Sequence, residues 1–183
     1  MEKKVCVFLA DGFEEIEGLT VVDLLRRAGV MVTTASITGQ KDIHGAHGII
    51  VQADALIEDI DLKEQDMLVL PGGMPGTIHL GEHAGVCEAV KAFDKEGKYI
   101  AAICAAPTVF GKLGLLEGRE ATCYPSMAEE LICGEYKAES VVVSDYIITS
   151  RGMGTAIDFS LALIELLLDK DVANKIGTSI VYL

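Results

Sequence analysis

The chain has 183 residues, of which 50% are hydrophobic, so we expect one compact domain over residues 1–183 with a substantial core. Its formal net charge is -13 and it contains no run of Lys or Arg, which argues against nucleic acid and anionic membranes as partners. The five cysteines are irregularly spaced and form no C-x-x-C pair, a pattern that fits neither a disulfide framework nor a structural zinc site.

Apolar residues occur in short runs, and none of these runs reaches the length of a membrane span. The first residues carry neither the long apolar segment nor the small-residue cleavage site of a secretory signal. We therefore expect a cytoplasmic protein whose cysteines are thiols, and we expect neither a cofactor nor a bound metal.

Strand patterns and helix patterns alternate along the chain. The predicted strands are 3–10, 30–38, 48–54, 66–73, 98–103, 120–125, 140–150 (a strand or a hairpin) and 178–183. The predicted helices are 16–29, 85–97, 106–116 and 154–170. Because the strands are almost continuously apolar, they predict an α/β sandwich of three layers, a mostly parallel sheet with helices on both faces.

Three turns that follow predicted strands are candidates for a functional site. They are "DGFEEIEG" at 11–18, "PGGMPG" at 71–76 and "CAAP" at 104–107. In folds of this class the ligand crevice lies beyond the carboxyl ends of the strands. We therefore expect the three turns to meet there.

Cys104 has the surroundings of a nucleophile on a sharp strand-to-helix turn. Such a turn requires small residues two positions before and after the nucleophile, and Ala102 and Ala106 meet this requirement. The N-terminus of the following helix would lower the thiol pKa, and the N–H groups of Ala105 and Gly73 could bind an oxyanion. The alternative is an inert, buried thiol, because free cysteine is among the most buried residue types.

Glu17 lies within the stripe of the first helix that should face the core. That predicted stripe consists of Phe13, Ile16, Thr20, Val21 and Leu24. A desolvated carboxyl has a raised pKa and can hold a proton beside a thiolate. Alternatively, Glu17 lies at the edge of the stripe, where it reaches water or pairs with Arg26 or Arg27. Glu14 and Glu15 are interpreted as first-turn residues that complement the helix dipole.

The histidines give weaker signals. His79 and His83 could share one helix face, but without a further ligand motif a metal site is the less favoured interpretation. His44 and His47 lie in a turn-rich segment and are most simply surface residues. The segment "SRGMGT" at 150–155 could present N–H groups to an anion, although an ordinary strand-to-helix turn is the simpler interpretation.

Four segments, "ADGFEEIE", "VLPGGMPG", "IAAICAAPTV" and "ITSRGMGT", resemble the ThiJ/PfpI family in order and spacing across nearly the whole chain. They are most similar to the branch that contains a parkinsonism-associated deglycase. The resemblance implies a flavodoxin-like fold, a homodimer and an oxidisable nucleophile at Cys104. It also implies that Glu17 is the protonated partner of Cys104 and that Gly73 and Ala105 are backbone donors. The implied pocket residues are Gly72, Tyr124, Glu14 and His47.

The sequence departs from the family where some relatives carry a histidine near the cysteine, because Tyr124 stands there. A neutral phenol is a poor base, so Glu17 would carry the proton traffic, with His47 of a neighbouring subunit as a possible substitute. Peptidase-like relatives have a histidine directly after the cysteine, where this chain has Ala105. The distal H-x-E pair of glutamine amidotransferases is also missing, so neither activity is expected.

Three functional hypotheses follow. In the first, the protein is a glyoxalase III or deglycase-type enzyme that acts on methylglyoxal-like dicarbonyls or on their amine or thiol adducts. In the second, it is a redox-responsive stress protein or chaperone in which Cys104 is oxidised and little substrate turns over. In the third, it is a small-molecule binding module on the same fold.

Overall fold

The computed structural model describes residues 2–183. The strands, in chain order, are β1 Lys4–Leu9, β2 Met31–Ser36, β3 Asp42–His44, β4 Ile50–Gln52, β5 Ala55–Leu56, β6 Met67–Leu70, β7 Tyr99–Ile103, β8 Glu120–Ala121, β9 Glu135–Tyr136, β10 Val141–Ser144 and β11 Ile147–Ser150. The helices are α1 Glu15–Arg27, α2 Gly76–Glu82, α3 Ala84–Glu96, α4 Pro107–Lys112, α5 Ala156–Leu167 and α6 Lys170–Ser179.

The central sheet has seven strands in the order β10-β11-β7-β6-β1-β2-β5. Every neighbouring pair is parallel except β10 and β11, which form an antiparallel hairpin. Two small sheets, β3 with β4 and β8 with β9, lie outside it. The predicted mostly parallel sheet is therefore confirmed, and so is the hairpin in 140–150.

Alternate residues of β1 enter two separate hydrophobic cores. Val5, Val7 and Leu9 pack on one face of the sheet, whereas Cys6 and Phe8 pack on the other. Successive side chains of a strand point to opposite faces, so a strand that is apolar at every position has to be covered on both sides. Helices α1, α5 and α6 contribute to the first core, and α2, α3 and α4 to the second. This arrangement confirms the three-layer sandwich.

The prediction of a last strand at 178–183 is wrong, because helix α6 runs through Ser179. Asp169 caps this helix, and its side chain accepts a hydrogen bond from the N–H of Val172 at 2.8 Å. Ala173 and Ile176 then bury one face of the helix against the first core. The β-branched residues at the end of the chain suggested a strand, but the cap and the helical spacing before them prevail.

Three other elements of the structure differ from the prediction. Helix α2 was not predicted, since two glycines and few apolar residues weaken its helical pattern. The predicted strand 48–54 pairs only with β3, outside the central sheet. The predicted strand 120–125 shortens to β8, which pairs with β9. No helix within residues 2–183 is both long and apolar enough to cross a membrane.

The first core should depend strongly on α5. Leu163 is fully buried in this helix, so Leu163→Ala should lower the free energy of unfolding by about 2 to 5 kcal/mol, measured by urea denaturation. Glu165→Ala in the same helix is the matched control, because Glu165 is exposed, and it should change stability by less than about 0.5 kcal/mol. Equal losses in the two variants would contradict this assignment of the core.

Candidate functional site

The three predicted turns meet because β7, β6 and β1 are adjacent and parallel in the sheet. Their carboxyl ends lie at one edge, so the residues that follow each strand converge. Cys104 follows β7, Gly72 and Gly73 follow β6, and the turn after β1 leads into α1 with Glu17. The structure thus brings together the residues predicted from separate parts of the sequence.

Cys104 occupies a sharp turn between β7 and α4. Its φ angle is 65°, in the left-handed region that residues with a side chain seldom adopt, at a cost of about 1 to 3 kcal/mol. The backbone is held on both sides, because the Cys104 N–H donates to the Ser150 carbonyl at 3.0 Å and the Cys104 carbonyl accepts from the Tyr124 N–H at 2.8 Å. The surrounding chain therefore fixes the direction in which the half-buried sulfur points.

Glu17 is 1% exposed and its carboxyl faces Cys104. Its Oε2 accepts a hydrogen bond from the Gly72 N–H at 3.0 Å, and its carboxyl also accepts from the Cys104 thiol and from the Met153 N–H. Burial raises the pKa of Glu17 to about 7, and the nearby Glu14 carboxylate acts in the same direction. Near neutral pH this carboxyl can therefore hold or release a proton.

The alternative interpretation of Glu17 is excluded by the partners of the two arginines. Arg26 forms an ion pair with Asp54 at 2.7 Å, and Arg27 pairs with Asp23 at 2.6 Å. Glu17 instead lies inside, next to the thiol. The predicted stripe was wrong at one position, because Ile16 is 50% exposed.

The electrostatics of Cys104 differ from the sequence-based expectation. Burial, together with the charge and hydrogen bond of Glu17, raises the pKa of the Cys104 thiol to about 12, whereas N–H groups of Ala105 and Gly73 act to lower it. The expected lowering by a helix N-terminus is thus outweighed by burial and by the neighbouring carboxyl. Since the thiol and the carboxyl are hydrogen-bonded, they titrate as a pair that shares one proton. Moving this proton from sulfur to Glu17 removes the charge that opposes the thiolate.

The side chains of Cys104 and Glu17 both pack against Gly72. A Cβ atom at Gly72 would lie 2.5 Å from Cys104 Cβ and 2.5 Å from Glu17 Oε2. Any side chain there would force the pair apart. Gly73 has a φ of 94° and points its N–H toward the sulfur, a conformation that glycine adopts without strain.

A pocket of 570 Å³ opens above Cys104. Of the predicted pocket residues, Glu14, His47 and Tyr124 line it, while Gly72 lies behind the thiol. Five lining residues were not predicted, namely Met74, Ser126, Met127, Glu130 and Met153. Met74 and Met153 follow β6 and β11, so their position after a strand could have identified them. Nothing in the sequence marks the other three.

His47 lines the pocket above Cys104 in its own chain. Its Nδ1 lies 2.9 Å from Glu15 Oε2 and 3.5 Å from Glu14 Oε2, and its N–H donates to Glu15 at 2.8 Å. The hydrogen bond to Glu15 and the charges of both carboxylates raise the pKa of His47. Burial alone would raise the pKa of Glu15, but the hydrogen bonds from His47 lower it overall. Glu15 is therefore a buried partner of His47 as well as a first-turn residue.

Glu14, Glu15 and His47 also place ligand-type atoms within 4.8 Å of one another. Among the residues described by the structure, this is the group that could hold a metal ion, and the sequence did not predict it. His79 and His83 have local roles instead. His79 Nδ1 lies 2.8 Å from the Asp11 carbonyl, and His83 Nδ1 caps α3 by accepting from the Val86 N–H at 3.3 Å.

A model of the DJ-1/PfpI family matches residues 3–166. Protein DJ-1 homolog B of Arabidopsis thaliana is 42% identical over 181 residues, covering 98% of this chain and 41% of the plant protein. Protein dj-1beta of Drosophila melanogaster is 37% identical over 179 residues, covering 97% of this chain and 96% of the fly protein. The solved structure of oxidized Toxoplasma gondii DJ-1 is 38% identical, has a TM-score of 0.95 and is covered to 98%, as is this chain.

These similarities confirm the predicted family, for which ThiJ/PfpI is another name, and with it the flavodoxin-like fold. The chain spans less than half the length of the two Arabidopsis relatives that it matches, 41% of one and 46% of the other.

Burial of Glu17 should make stability depend on pH with a defined sign. The pKa rises from 4.5 to about 7 on folding, so stability is lost as the pH rises through this window, by about 3 kcal/mol in total. Glu17→Gln cannot ionise and escapes this loss. The variant should therefore gain stability relative to wild type between pH 5 and pH 8, by about 2 kcal/mol or more in urea unfolding.

Glu15→Gln provides a control of opposite sign. Folding lowers the pKa of Glu15, so its ionised form stabilises the protein above the unfolded pKa, and this stabilisation is lost only as the pH falls below that value. Glu15→Gln should therefore be less stable than wild type throughout the range from pH 5 to pH 8. Parallel behaviour of the two variants would contradict the assigned electrostatics.

Proposed function

Since the chain belongs to the DJ-1/PfpI family and its Cys104 lies against Glu17 at the base of a pocket, we propose a cysteine-dependent enzyme of the glyoxalase III or deglycase type. Its substrates are methylglyoxal-like dicarbonyls or their adducts with amines or thiols. The observation that carries the proposal is the hydrogen-bonded pair of a half-buried thiol and a buried carboxyl, with two backbone N–H groups directed at the sulfur.

The reaction begins with transfer of the shared proton. The Cys104 thiol gives its proton to Glu17, whose pKa of about 7 makes it a suitable acceptor near neutral pH. The thiolate attacks the aldehyde carbon of the dicarbonyl and forms a hemithioacetal. The N–H groups of Gly73 and Ala105, which now contact the sulfur, are near enough to stabilise the oxyanion that develops on the former aldehyde.

The hemithioacetal then rearranges without a net change in oxidation state. A proton leaves the former aldehyde carbon and another is added to the neighbouring carbonyl carbon, which gives a thioester of the hydroxy acid. Glu17 accepts the first of these protons and donates the second, because it lies beside the sulfur and its pKa permits both the protonated and the ionised carboxyl. Water hydrolyses the thioester, releases lactate from methylglyoxal and restores the thiol. For an adduct, the amine or thiol carrier is released in addition.

His47 and Tyr124 take secondary roles in this proposal. The raised pKa of His47 favours its imidazolium, which suits a hydrogen-bond donor to substrate oxygen and not a base. Tyr124 is 48% exposed and forms a wall of the pocket with its ring near Gly152. Proton removal is therefore assigned to Glu17.

A redox-responsive role is the second candidate, and the same donors favour it. A sulfinate on Cys104 would accept hydrogen bonds from Gly73 and Ala105 and from a protonated Glu17. Cys6 is fully buried in the core, whereas Cys104 lines an open pocket, so Cys6 offers no comparable site for an oxidant.

We also propose a homodimer. Three large hydrophobic side chains, Ile16, Ile49 and Ile50, are each at least 50% exposed. Ile16 is next to Glu15 in the chain, and Ile49 and Ile50 follow His47. The ion pair between Glu15 and His47 therefore holds the two segments together. Exposed apolar groups of this kind favour association with a second copy.

The pH dependence of Cys104 alkylation tests the shared proton. In wild type the thiolate should form in two steps, the lower one near pH 7, where the pair loses its first proton. In Glu17→Gln no carboxylate can take that proton, so a single step at higher pH is expected. The rate of iodoacetamide labelling of Cys104, read by peptide mass spectrometry, measures both profiles. One step at the same pH in both proteins would contradict the pairing.

Lactate formation from methylglyoxal tests the enzyme. Cys104→Ser should abolish it, and Glu17→Gln should lower kcat by about 100-fold or more, the usual effect of losing a general acid or base. Cys87→Ser is the matched control, because Cys87 lies on α3 away from the pocket, and it should keep wild-type turnover.

Lactate formation that persists in Cys104→Ser would refute the enzyme proposal. Absence of lactate in wild type, combined with faster oxidation of Cys104 than of Cys6 by dilute peroxide, would favour the redox-responsive role instead. Peptide mass spectrometry of the two cysteines reports this comparison.

A further inference from the structure

The buried carboxylate of Glu15 is bonded to the loop at 44–49. Glu15 is 3% exposed and does not line the pocket above Cys104. Its carboxyl accepts hydrogen bonds from the backbone N–H groups of His47 and Ile49 and lies 2.9 Å from Nδ1 of the His47 ring. Within residues 2–183, His47 is the one group that forms an ion pair with it. Because a buried carboxylate is costly without a charged or hydrogen-bonded partner, the carboxylate and the imidazole stabilise each other.

The loop is shaped around this carboxyl. A Cβ atom at position 45 would collide with the Glu15 side chain, so Gly45 provides the room that the carboxyl needs. The Ala46 N–H donates to the Phe13 carbonyl at 2.9 Å and docks the loop beside the start of α1. The backbone therefore holds the Glu15 carboxyl and the His47 ring in one arrangement.

This arrangement uses only one nitrogen of the His47 ring. Nδ1 lies 2.9 Å from Glu15 and 3.5 Å from Glu14, whereas Nε2 takes part in no hydrogen bond within residues 2–183. A carboxylate bonded to one imidazole nitrogen fixes the orientation of the ring and the proton state of the other nitrogen. Since His47 lines the pocket above Cys104, its Nε2 is the nitrogen left for a ligand.

His47 also differs in charge from the rest of the pocket. Among the lining residues that the structure describes, it carries the single basic side chain. The hydrogen bond with Glu15 and the charges of Glu14 and Glu15 raise the pKa of His47, so its imidazolium is favoured. A charged N–H donor binds a carbonyl oxygen more strongly than a neutral one. The other titratable groups of the lining are Glu14, Glu17, Cys104, Tyr124 and Glu130.

We propose that Glu15 and His47 make the site selective for dicarbonyls over simple aldehydes. The first carbonyl reacts with Cys104, and the Nε2–H of His47 binds the oxygen of the second carbonyl, which a simple aldehyde lacks. Glu15 acts through His47 and is a positioning residue. The inference rests on the proposed function for the reacting groups, but recognition of the second carbonyl is measurable without turnover.

The same contact assists the rearrangement. When Glu17 removes the hydrogen of the first carbon as a proton, the C–H electron pair forms a C=C bond, and the second carbonyl becomes a hydroxyl by taking the Nε2 proton of His47. Glu17 then returns its proton to the second carbon. The hydroxyl of the first carbon gives its proton to the neutral imidazole and becomes the carbonyl of the thioester, which restores the imidazolium. Protons and electrons therefore balance without an external oxidant or reductant.

Reversible addition to Cys104 tests the selectivity without catalysis. Diacetyl adds to a thiol but has no aldehyde hydrogen to shift, and propanal has no second oxygen. Each compound protects Cys104 from iodoacetamide to the extent that it occupies the thiol, which peptide mass spectrometry measures. His47→Leu should weaken protection by diacetyl by about 10-fold or more, the effect of losing a charged hydrogen bond. Protection by propanal should stay within about twofold of wild type.

A second histidine of the same segment provides the control. His44 is exposed on β3 and does not line the pocket, so His44→Leu should bind both compounds as wild type does. Equal weakening of both compounds by His47→Leu, or weakening of neither, would overturn the proposal. Failure of diacetyl to protect wild type would also overturn it.

The role of Glu15 is tested by the pH dependence of the same protection. Glu15→Gln keeps a hydrogen-bond acceptor but removes the charge, so the pKa of His47 should fall and the imidazolium should be lost at lower pH. The weakening of diacetyl protection relative to wild type should therefore grow between about pH 6 and pH 8. NMR titration of the His47 ring nitrogens should show the fall in pKa directly. A weakening that is independent of pH, or an unchanged His47 titration, would overturn the positioning role and leave Glu15 as a support for the loop.

Turnover separates this inference from the proposed function. If diacetyl protection responds to His47→Leu as predicted but wild type forms no lactate from methylglyoxal, the recognition of dicarbonyls stands and the enzyme proposal fails. If Cys104-dependent lactate forms but diacetyl protection is unchanged in His47→Leu, the enzyme proposal stands and this inference fails.

Discussion

One proton shared between Glu17 and Cys104 is the interaction on which the site depends. Burial disfavours a charge on either group and raises the pKa of both. Their contact lets the pair carry a single negative charge, held on the carboxyl or on the sulfur. The thiolate form requires only that a proton move across one hydrogen bond, with no change in the net charge of the pocket. Burial of the carboxyl costs stability, and the protein retains that cost at the proposed reactive centre.

The geometry of the pair is set by backbone more than by side chains. The left-handed turn at Cys104 aims the sulfur, and backbone hydrogen bonds to Ser150 of β11 and to Tyr124 hold that turn. Gly72 allows the sulfur and the carboxyl to approach each other across a strand end, where any Cβ would collide with both. The strained backbone at Cys104 and the absence of a side chain at Gly72 therefore both make the contact between the thiol and the carboxyl possible. The rest of the pocket surrounds this contact with carboxylates and one paired histidine, which gives the opening an acidic character.

How well the sequence predicts the structure depends on how far apart in the chain the interacting residues lie. The sandwich was predicted from strand and helix patterns that alternate along the chain and from strands that are almost continuously apolar, since such strands need cover on both faces. It failed at 178–183, where a cap at Asp169 prevails over β-branched composition, and at α2, which has a weak apolar pattern. Cys104 and Gly73 could be named in advance because each lies in a turn after a strand, and Glu17 because it lies in the first turn of the helix after β1. Strand order brings these segments together.

Only the tertiary structure determined the pKa values of the site and the residues that form the outer wall of the pocket. The sequence placed a helix start after Cys104 and so predicted a lowered thiol pKa. Burial of the thiol and the carboxyl of Glu17 against the sulfur raise this pKa instead, and both depend on three-dimensional packing. His47 enters the pocket of its own chain because Glu15 holds it, and Met127 and Glu130 reach it from a segment without periodic pattern. The sequence by itself determined the layers and the candidate nucleophile, because local pattern encodes strands and turns. Only the fold determined which ionisable groups touch, because pKa depends on neighbours that are distant in sequence.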